Sequence, residues 1–511
     1  MNKFLAILFC AVTAVAAAAE APPPPDFIAQ IHFAGAEQIS ADTNSAALTN
    51  YFCSAEAKAL REQTLNKLSH FPYSWFKSRL AAGTDDGADQ LRPLLDDLLR
   101  SEWFLEIRDI TNGVPETALA IRLNTARAQL WQDNLAEVLQ SWTHLPAGKT
   151  TNGWLLKKDL PPNLFRVERR GGWVVIDCGQ DELSLGDEIP GPFLKTRIAA
   201  AETNWLTADL DWPRLARWFP PLDEFDFPKM EMQINGRDGG LWSNGRFTLA
   251  QPLSPLEKWR MPASVMHQPL ASFTAVRGIG PWLERQSRVR PFVIQPPPGE
   301  FFIWALPQIP FQTFAAAPVP DATAALAQLH AKLSALLIND SQNIFLASIK
   351  EEMTNGQISW PGLPFIAPFV QTLHEPAGDF LFGGLFPNTP GSEALPPELF
   401  RQLDAPNLVY YHWEITAGRL KELQQLTRLV LPMIQHKQFD ANSAAGQWLN
   451  HVGPTPGSSI TEVIQTAPDE LTFTRKAPGG LTAIELVALA NWLEMTNFPV
   501  CGFHLPPRVG N

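Results

Sequence analysis

Residues 164–170 (LFRVERR) alternate apolar and charged side chains, Gly171 and Gly172 follow, and Trp173-Val174-Val175-Ile176 continue as a second strand-like run. A period of two on both sides of a two-residue glycine turn is a β-hairpin signal, because tight hairpin turns need positive φ at their centre. It commits the chain to antiparallel sheet. The signal recurs twice. Met230, Met232 and Ile234 alternate with Lys229, Glu231 and Gln233, Asp238-Gly239-Gly240 turn, and Phe247 and Leu249 return. A third hairpin spans 460–476 and turns at Pro468-Asp469. Residues 27–34 (FIAQIHFA) and 118–123 (ALAIRL) read as further strands.

Helical spacing lies between these runs. Leu91, Leu94, Leu95, Leu98 and Leu99 stand at i, i+3, i+4, i+7 and i+8, the spacing of one buried helical face, with Pro93 in the first turn. Ser54 opens a helix reaching about Leu68, Asp321 caps one over 322–338, and another covers 417–431. Thr482 and Glu485 form a capping box, with Leu481 and Leu486 as its hydrophobic staple. The class that follows is α+β: mainly antiparallel sheets with packed helices. The irregular stretch around 250–265 divides the chain into a first half, 27–260, and a second, 261–511. One device recurs: a strand ends, a capping residue follows, and an Arg stands three places on. It occurs at Asn124/Arg127, Asp211/Arg214 and Thr416/Arg419. Asn124, Asp211 and Thr416 are therefore expected as N-caps, whose side-chain oxygens accept from orphan backbone N–H groups. Two duplicated strand–helix–hairpin halves are one reading, and chance recurrence of a common cap is the other.

Composition narrows the function classes. Lys+Arg number 40 against 52 Asp+Glu, a net charge of −12, which leaves no broad electrostatic footprint for nucleic acid. With 45% apolar and 18% charged residues the chain is not disordered. Lys3 precedes an apolar run, Phe4–Ala19, that is short of the ~20 residues needed to cross a bilayer. Ala17-Ala18-Ala19 fits signal-peptidase cleavage, so 1–19 reads as a signal peptide with Glu20 the first mature residue. A proline-rich linker, 20–26, follows. Export to the periplasm or outside is expected. Cys10 leaves with the signal, and Cys53, Cys178 and Cys501 permit at most one disulfide.

No catalytic, cofactor-binding or metal residue is assigned. The histidines, among them His32, His330, His374 and His412, include no i, i+4 pair, and neither H-E-x-x-H nor C-x-x-C occurs. His330 reads as a core or boundary histidine. Gly148-Lys149-Thr150 has Thr143 where a phosphate loop needs glycine, and Gly278-Ile279-Gly280 lacks a third glycine. Ser243 lacks the glycine two places earlier that a nucleophile elbow demands. Four residues head the list of suspects should chemistry exist: Cys178 at a strand end, Asp209 and Asp211 as an alternating carboxylate pair of the kind a glycosidase uses, and His374 beside Glu375, which precedes Pro376 and reads as a turn. Arg277, Arg285, Arg288 and Arg290 flank Trp282 and read as a solvated face or ion-pair partners.

Residues 272–283 (SFTAVRGIGPWL) and 480–494 (GLTAIELVALANWLE) resemble a family of secreted proteins from environmental Gram-negative bacteria, a domain of unknown function. The resemblance runs over most of the mature chain and implies no catalytic residue. The expected function is a non-enzymatic exported protein that binds a partner protein or cell-envelope component. The alternative is a periplasmic or extracellular hydrolase acting on a polymer such as a glycan. Expected partners are an envelope protein or glycan, with no nucleic acid and no transmembrane segment in the mature chain.

Overall fold

The computed structural model describes residues 27–499 apart from 77–84, 110–113, 159–162, 181–182, 189–203, 219–226, 254, 286–292, 308–311, 340–350, 362–365, 388–394, 396, 436–439 and 456. The expected signal peptide and linker, Cys10, Cys501, Arg288 and Arg290 lie outside the described residues.

Ten strands precede residue 250: β1 (Phe27–Phe33), β2 (Trp103–Arg108), β3 (Glu116–Arg122), β4 (Gly148–Lys149), β5 (Gly153–Lys157), β6 (Leu164–Arg170), β7 (Trp173–Gly179), β8 (Leu206–Leu210), β9 (Lys229–Arg237) and β10 (Gly240–Thr248). Ten follow: β11 (Ser272–Arg277), β12 (Glu300–Ala305), β13 (Thr313–Val319), β14 (Glu352–Thr354), β15 (Gln357–Ser359), β16 (Phe369–Glu375), β17 (Gly378–Gly384), β18 (Leu408–Ile415), β19 (Ser458–Ala467) and β20 (Glu470–Ala477). All belong to one 20-stranded sheet, and every pairing among the described residues is antiparallel.

The pairings run β4-β5-β6-β7-β3-β2-β1-β8-β9-β10, cross to β20, and continue β19-β18-β11-β12-β13-β17-β16-β15-β14. The second ten repeat the first in reverse, β11 standing where β1 stood, β12 where β2 stood, and so on. At the seam, Leu241 pairs with Ala477 and Phe247 with Leu471, a register symmetric about Asn244↔Thr474. Gly35 (φ 88°) and Gly278 (φ 76°) follow β1 and β11, each just before a helix. A Cβ on Gly35 would stand 2.5 Å from the Arg100 carbonyl oxygen, so that close approach admits only glycine.

Alternation gives the sheet two faces. On the front, helix Thr125–Thr143 packs on β5–β7 and helix Ala322–Asn339 on β15–β17. The first buries Ile121, Val167 and Val174 under Trp131, and the second buries Val319, Ile358 and Leu381 under Leu326. Helices Ala55–Phe76, Ala444–Val452 and Ala483–Glu494 share a further core containing Leu60, Trp448 and Leu489. It ties the two halves together: the Trp448 Nε1–H donates to the Tyr51 carbonyl at 2.6 Å. On the back, the second half buries Phe273, Phe302, Trp304, Phe314, Phe380 and Phe382. The first half buries a smaller apolar group there, Ala118, Ala120, Val175 and Leu185, with charged groups beside it.

All three hairpins form, with local differences. Gly171 takes φ 61° but Gly172 is not left-handed, whereas Asp238 (φ 50°) and Gly239 (φ 68°) supply both positive angles of a type I′ turn. Helix Ala88–Arg100 buries Leu94 but leaves Leu99 38% exposed, so the five-leucine stripe is wider than the contact it makes. Helix Ala55–Phe76 runs on past Leu68. Asn124 and Asp211 cap as expected, accepting from the N–H of Arg127 and Arg214. Thr416 does not: it is the first helical residue of Thr416–Gln435, and its hydroxyl meets Ser459 Oγ at 2.8 Å. The three are also not one recurring position. Asn124 follows β3, and Asp321, which follows β13 and accepts from the Ala324 N–H, is its counterpart. Asp211 follows β8, as Ile415-Thr416 follow β18.

Candidate functional site

Two polar constellations interrupt the apolar packing. The first lies on the back of the first half. Asp177 in β7 has no exposed surface and receives Arg166 at 2.7 Å and the Gly186 N–H at 3.1 Å. Two strands away in the pairing order β7-β3-β2, Glu106 pairs with Arg108, which also reaches Glu188. Glu116 in β3 accepts from the Leu185 N–H at 2.7 Å and from Ser184 Oγ. Burial, with the like charge of Glu116 second, pushes the Asp177 carboxyl up to about 6. Burial raises Glu116 too. The two carboxylates therefore hold the first turn of the short helix Leu185–Glu188 against the sheet. In the second half the same register places Gly384 opposite Phe314 where the first half has Asp177 opposite Ala118, and Gln312 stands at the position of Glu116, so the charge pair is particular to the first half.

The second constellation lies on the front of the second half. Thr274 in β11 is directly opposite His412 in β18, and Thr274 Oγ1 meets His412 Nδ1 at 2.8 Å. His412 Nε2 faces Glu414 Oε2 at 3.5 Å, and Glu414 Oε1 accepts the Ala483 N–H at 2.7 Å. Tyr410 stacks on His412, and burial pushes its phenol up to about 12. Arg475 beside them makes two hydrogen bonds to Glu485, the carboxylate that closes the capping box of helix Ala483–Glu494. Sequence reasoning missed this set. Thr274 and His412 are 138 residues apart, and only the β11–β18 register brings them together. The one local signal is the alternation Tyr410-x-His412-x-Glu414, which puts three polar groups on one face of a strand.

The four suspected residues do not converge. Cys178 lies on the opposite face of β7 from Asp177, and burial pushes its thiol up to about 11, which suppresses the nucleophilic thiolate. Asp211 is a helix cap that also pairs with Lys229 at 2.6 Å. Asp209 stands between Gln30 and Glu231 in the sheet and makes no cleft with Asp211. His374 is the penultimate residue of β16, before the expected turn, and pairs with Asp379 at 2.8 Å on the surface, where that hydrogen bond lowers the Asp379 carboxyl. Ser243 is wholly buried in β10. His330 sits at a boundary, 3.8 Å from Glu351. Arg277 is not a surface residue. It is 4% exposed, lies 4.6 Å over the Trp259 ring, and donates to the carbonyls of Leu408 and Pro406.

Among the described residues, the front of the sheet between the helices is incompletely covered. In the first half Ile31, Leu105, Ile107 and Leu119 are only half-buried. In the second half Thr274, Val276 and Phe301 are half-buried and Ile303 is 43% exposed. Register makes these contiguous: Ile31↔Leu105↔Leu119 in one half, Thr274↔Ile303↔Ala315 in the other. Among the described residues no group of three metal-ligating side chains occurs, and no helix is long and apolar enough to cross a membrane. No protein-family model, no curated protein and no solved structure matches the chain.

Proposed function

We propose that the chain is an exported binding protein whose sheet front takes up an apolar or amphipathic segment of a partner protein or envelope component. The observation that carries this reading is the recurrence of the uncovered strip. Both halves keep half-buried apolar side chains on the front of the same central strands, Ile31, Leu105 and Leu119 in the first and Val276 and Phe301 beside the exposed Ile303 in the second. Contiguous exposed apolar surface is costly in water and marks binding surfaces. Export is supported by the N-terminal Lys3 and Phe4–Ala19 pattern. We further propose that the matching strand orders reflect duplication of one ancestral unit, which supplies two equivalent strips. The glycan-hydrolase alternative is less favoured, because Asp211 is engaged as a helix cap paired with Lys229 and Asp209 lies within the strand ladder.

The test is site-specific photo-crosslinking in the native cell envelope. A benzophenone side chain replacing Ile303 or Leu119 is expected to yield a discrete partner adduct, and one at Met353 on the exposed edge strand β14 is not. Adducts as abundant from position 353 as from 303 and 119 would refute the assignment.

A further inference from the structure

The two halves provide an internal control. Thr274 stands four residues before Gly278 and His412 four before helix Thr416–Gln435. Ile31 stands four before Gly35, and Ala208 four before helix Trp212–Trp218. Thr274 is opposite His412 as Ile31 is opposite Ala208, and Glu414 pairs with Ser272 as Leu210 pairs with Ala29. The fold thus accommodates Ile, Ala and Leu at the positions where the second half carries Thr, His and Glu. A buried polar set is a liability unless mutually satisfied, and the architecture does not require this one.

We propose that Thr274 is a nucleophile that accepts an acyl group from an apolar ester lying along Val276, Phe301 and Ile303, with His412 its general base and the Glu414 charge stabilising the imidazolium. The assignment rests on the reading of the front strip as a ligand surface. The geometry supplies the hydrogen-bonded nucleophile–base pair of such a site. Thr274 Oγ1 is 2.8 Å from His412 Nδ1, and the Glu414 carboxylate, anchored by the Ala483 N–H, faces Nε2. Nε2 makes no hydrogen bond, and the Glu414 carboxylate 3.5 Å away stabilises by its charge the imidazolium that forms when Nδ1 takes the hydroxyl proton. Oγ1 attacks the ester carbonyl as Nδ1 takes its proton. The bond to the leaving alcohol oxygen breaks, and that oxygen takes the proton back from Nδ1. Thr274 is left as an acyl ester, and a water molecule repeats the exchange to release the carboxylic acid. Thr274 is half-buried beside the exposed Ile303, so an ester has access to Oγ1.

The experiment uses the purified full chain and an alkyl fluorophosphonate, with p-nitrophenyl hexanoate as the ester. The wild type is expected to give one phosphonyl adduct, mapped by tandem mass spectrometry to Thr274, and to release nitrophenol. His412→Ala should slow labelling about 100-fold, the scale of general-base catalysis. Glu414→Gln should lower kinact while leaving KI unchanged, a split that a merely structural role would not produce. Thr274→Val should keep the fold and abolish the adduct, and Thr274→Ser should retain it, so the proposal stays exposed even if His412→Ala misfolds. No adduct at Thr274, or equal rates in wild type and His412→Ala, overturns the proposal. Failure here with crosslinking at position 303 intact refutes only the nucleophile; labelling without crosslinking refutes only the binding reading.

Discussion

Asp177 shows at the residue scale how a sheet face can carry charge without forming a site. It is wholly buried, its carboxyl stands near 6 because of burial and Glu116, and its partners are Arg166 and a helix N–H. A carboxyl whose folded value lies above its unfolded value of roughly 4 binds extra protons in the native state. Its stabilising contribution is present below pH about 4 and lost as pH rises through about 6. The loss amounts to no more than about 3 kcal/mol by the relation between shift and energy. Urea unfolding at pH 5 and pH 7 is expected to show that difference shrink in Asp177→Asn, and an unchanged difference would contradict the assignment. The motif search could not have found this residue, because Asp177 lies in an ordinary apolar strand run and its depth is set by helix Leu185–Glu188. By contrast the caps at Asn124 and Asp211 were legible, since a cap acts on its own next turn.

Elements are held by bonds of unequal weight, and the difference is measurable. Asn124 caps helix Thr125–Thr143 from an exposed position, so Asn124→Ala should cost about 1 kcal/mol. Glu485 closes its own capping box and also makes two bonds to the buried Arg475. Removing it leaves that guanidinium without its carboxylate, and Glu485→Ala should cost about 3–5 kcal/mol. Denaturant titration that ranked the two substitutions equally would contradict this order. The capping box was legible from Thr482 and Glu485, three apart. Arg475 was not, because its bond to Glu485 depends on the last helix docking against β20.

At the scale of the whole molecule the two halves are joined twice, by the β10–β20 ladder and by the helical core around Leu60, Trp448 and Leu489. Gln63 reaches Glu494 at 3.0 Å, and Lys67 reaches the Leu493 carbonyl at 2.6 Å. Calorimetry is therefore expected to show one cooperative transition, and two resolved transitions would separate the halves energetically. Cys53 and Cys178 are both free thiols, so dithiothreitol should leave the melting temperature unchanged. A fall on reduction would contradict this and show Cys53 or Cys178 to be bridged.

The amino-acid sequence alone determined what depends on neighbours a few residues apart. The hairpins at Gly171, Asp238-Gly239 and Pro468-Asp469 came from a period of two with turn residues between, and the Thr482 box came from spacing within one helical turn. Tertiary structure decided everything that depends on which strand lies beside which. The order β7-β3-β2-β1-β8 interleaves strands distant in the chain, so the Asp177–Glu116 pair and the Thr274–His412–Glu414 set have no local signature. Alternation assigns a side chain to one face or the other, but not what that face will meet. Asp177 in β7 and Phe382 in its counterpart β17 are both wholly buried on the back, one in an ion pair and one in an aromatic stack, because only the packed neighbours set the polarity of a buried place.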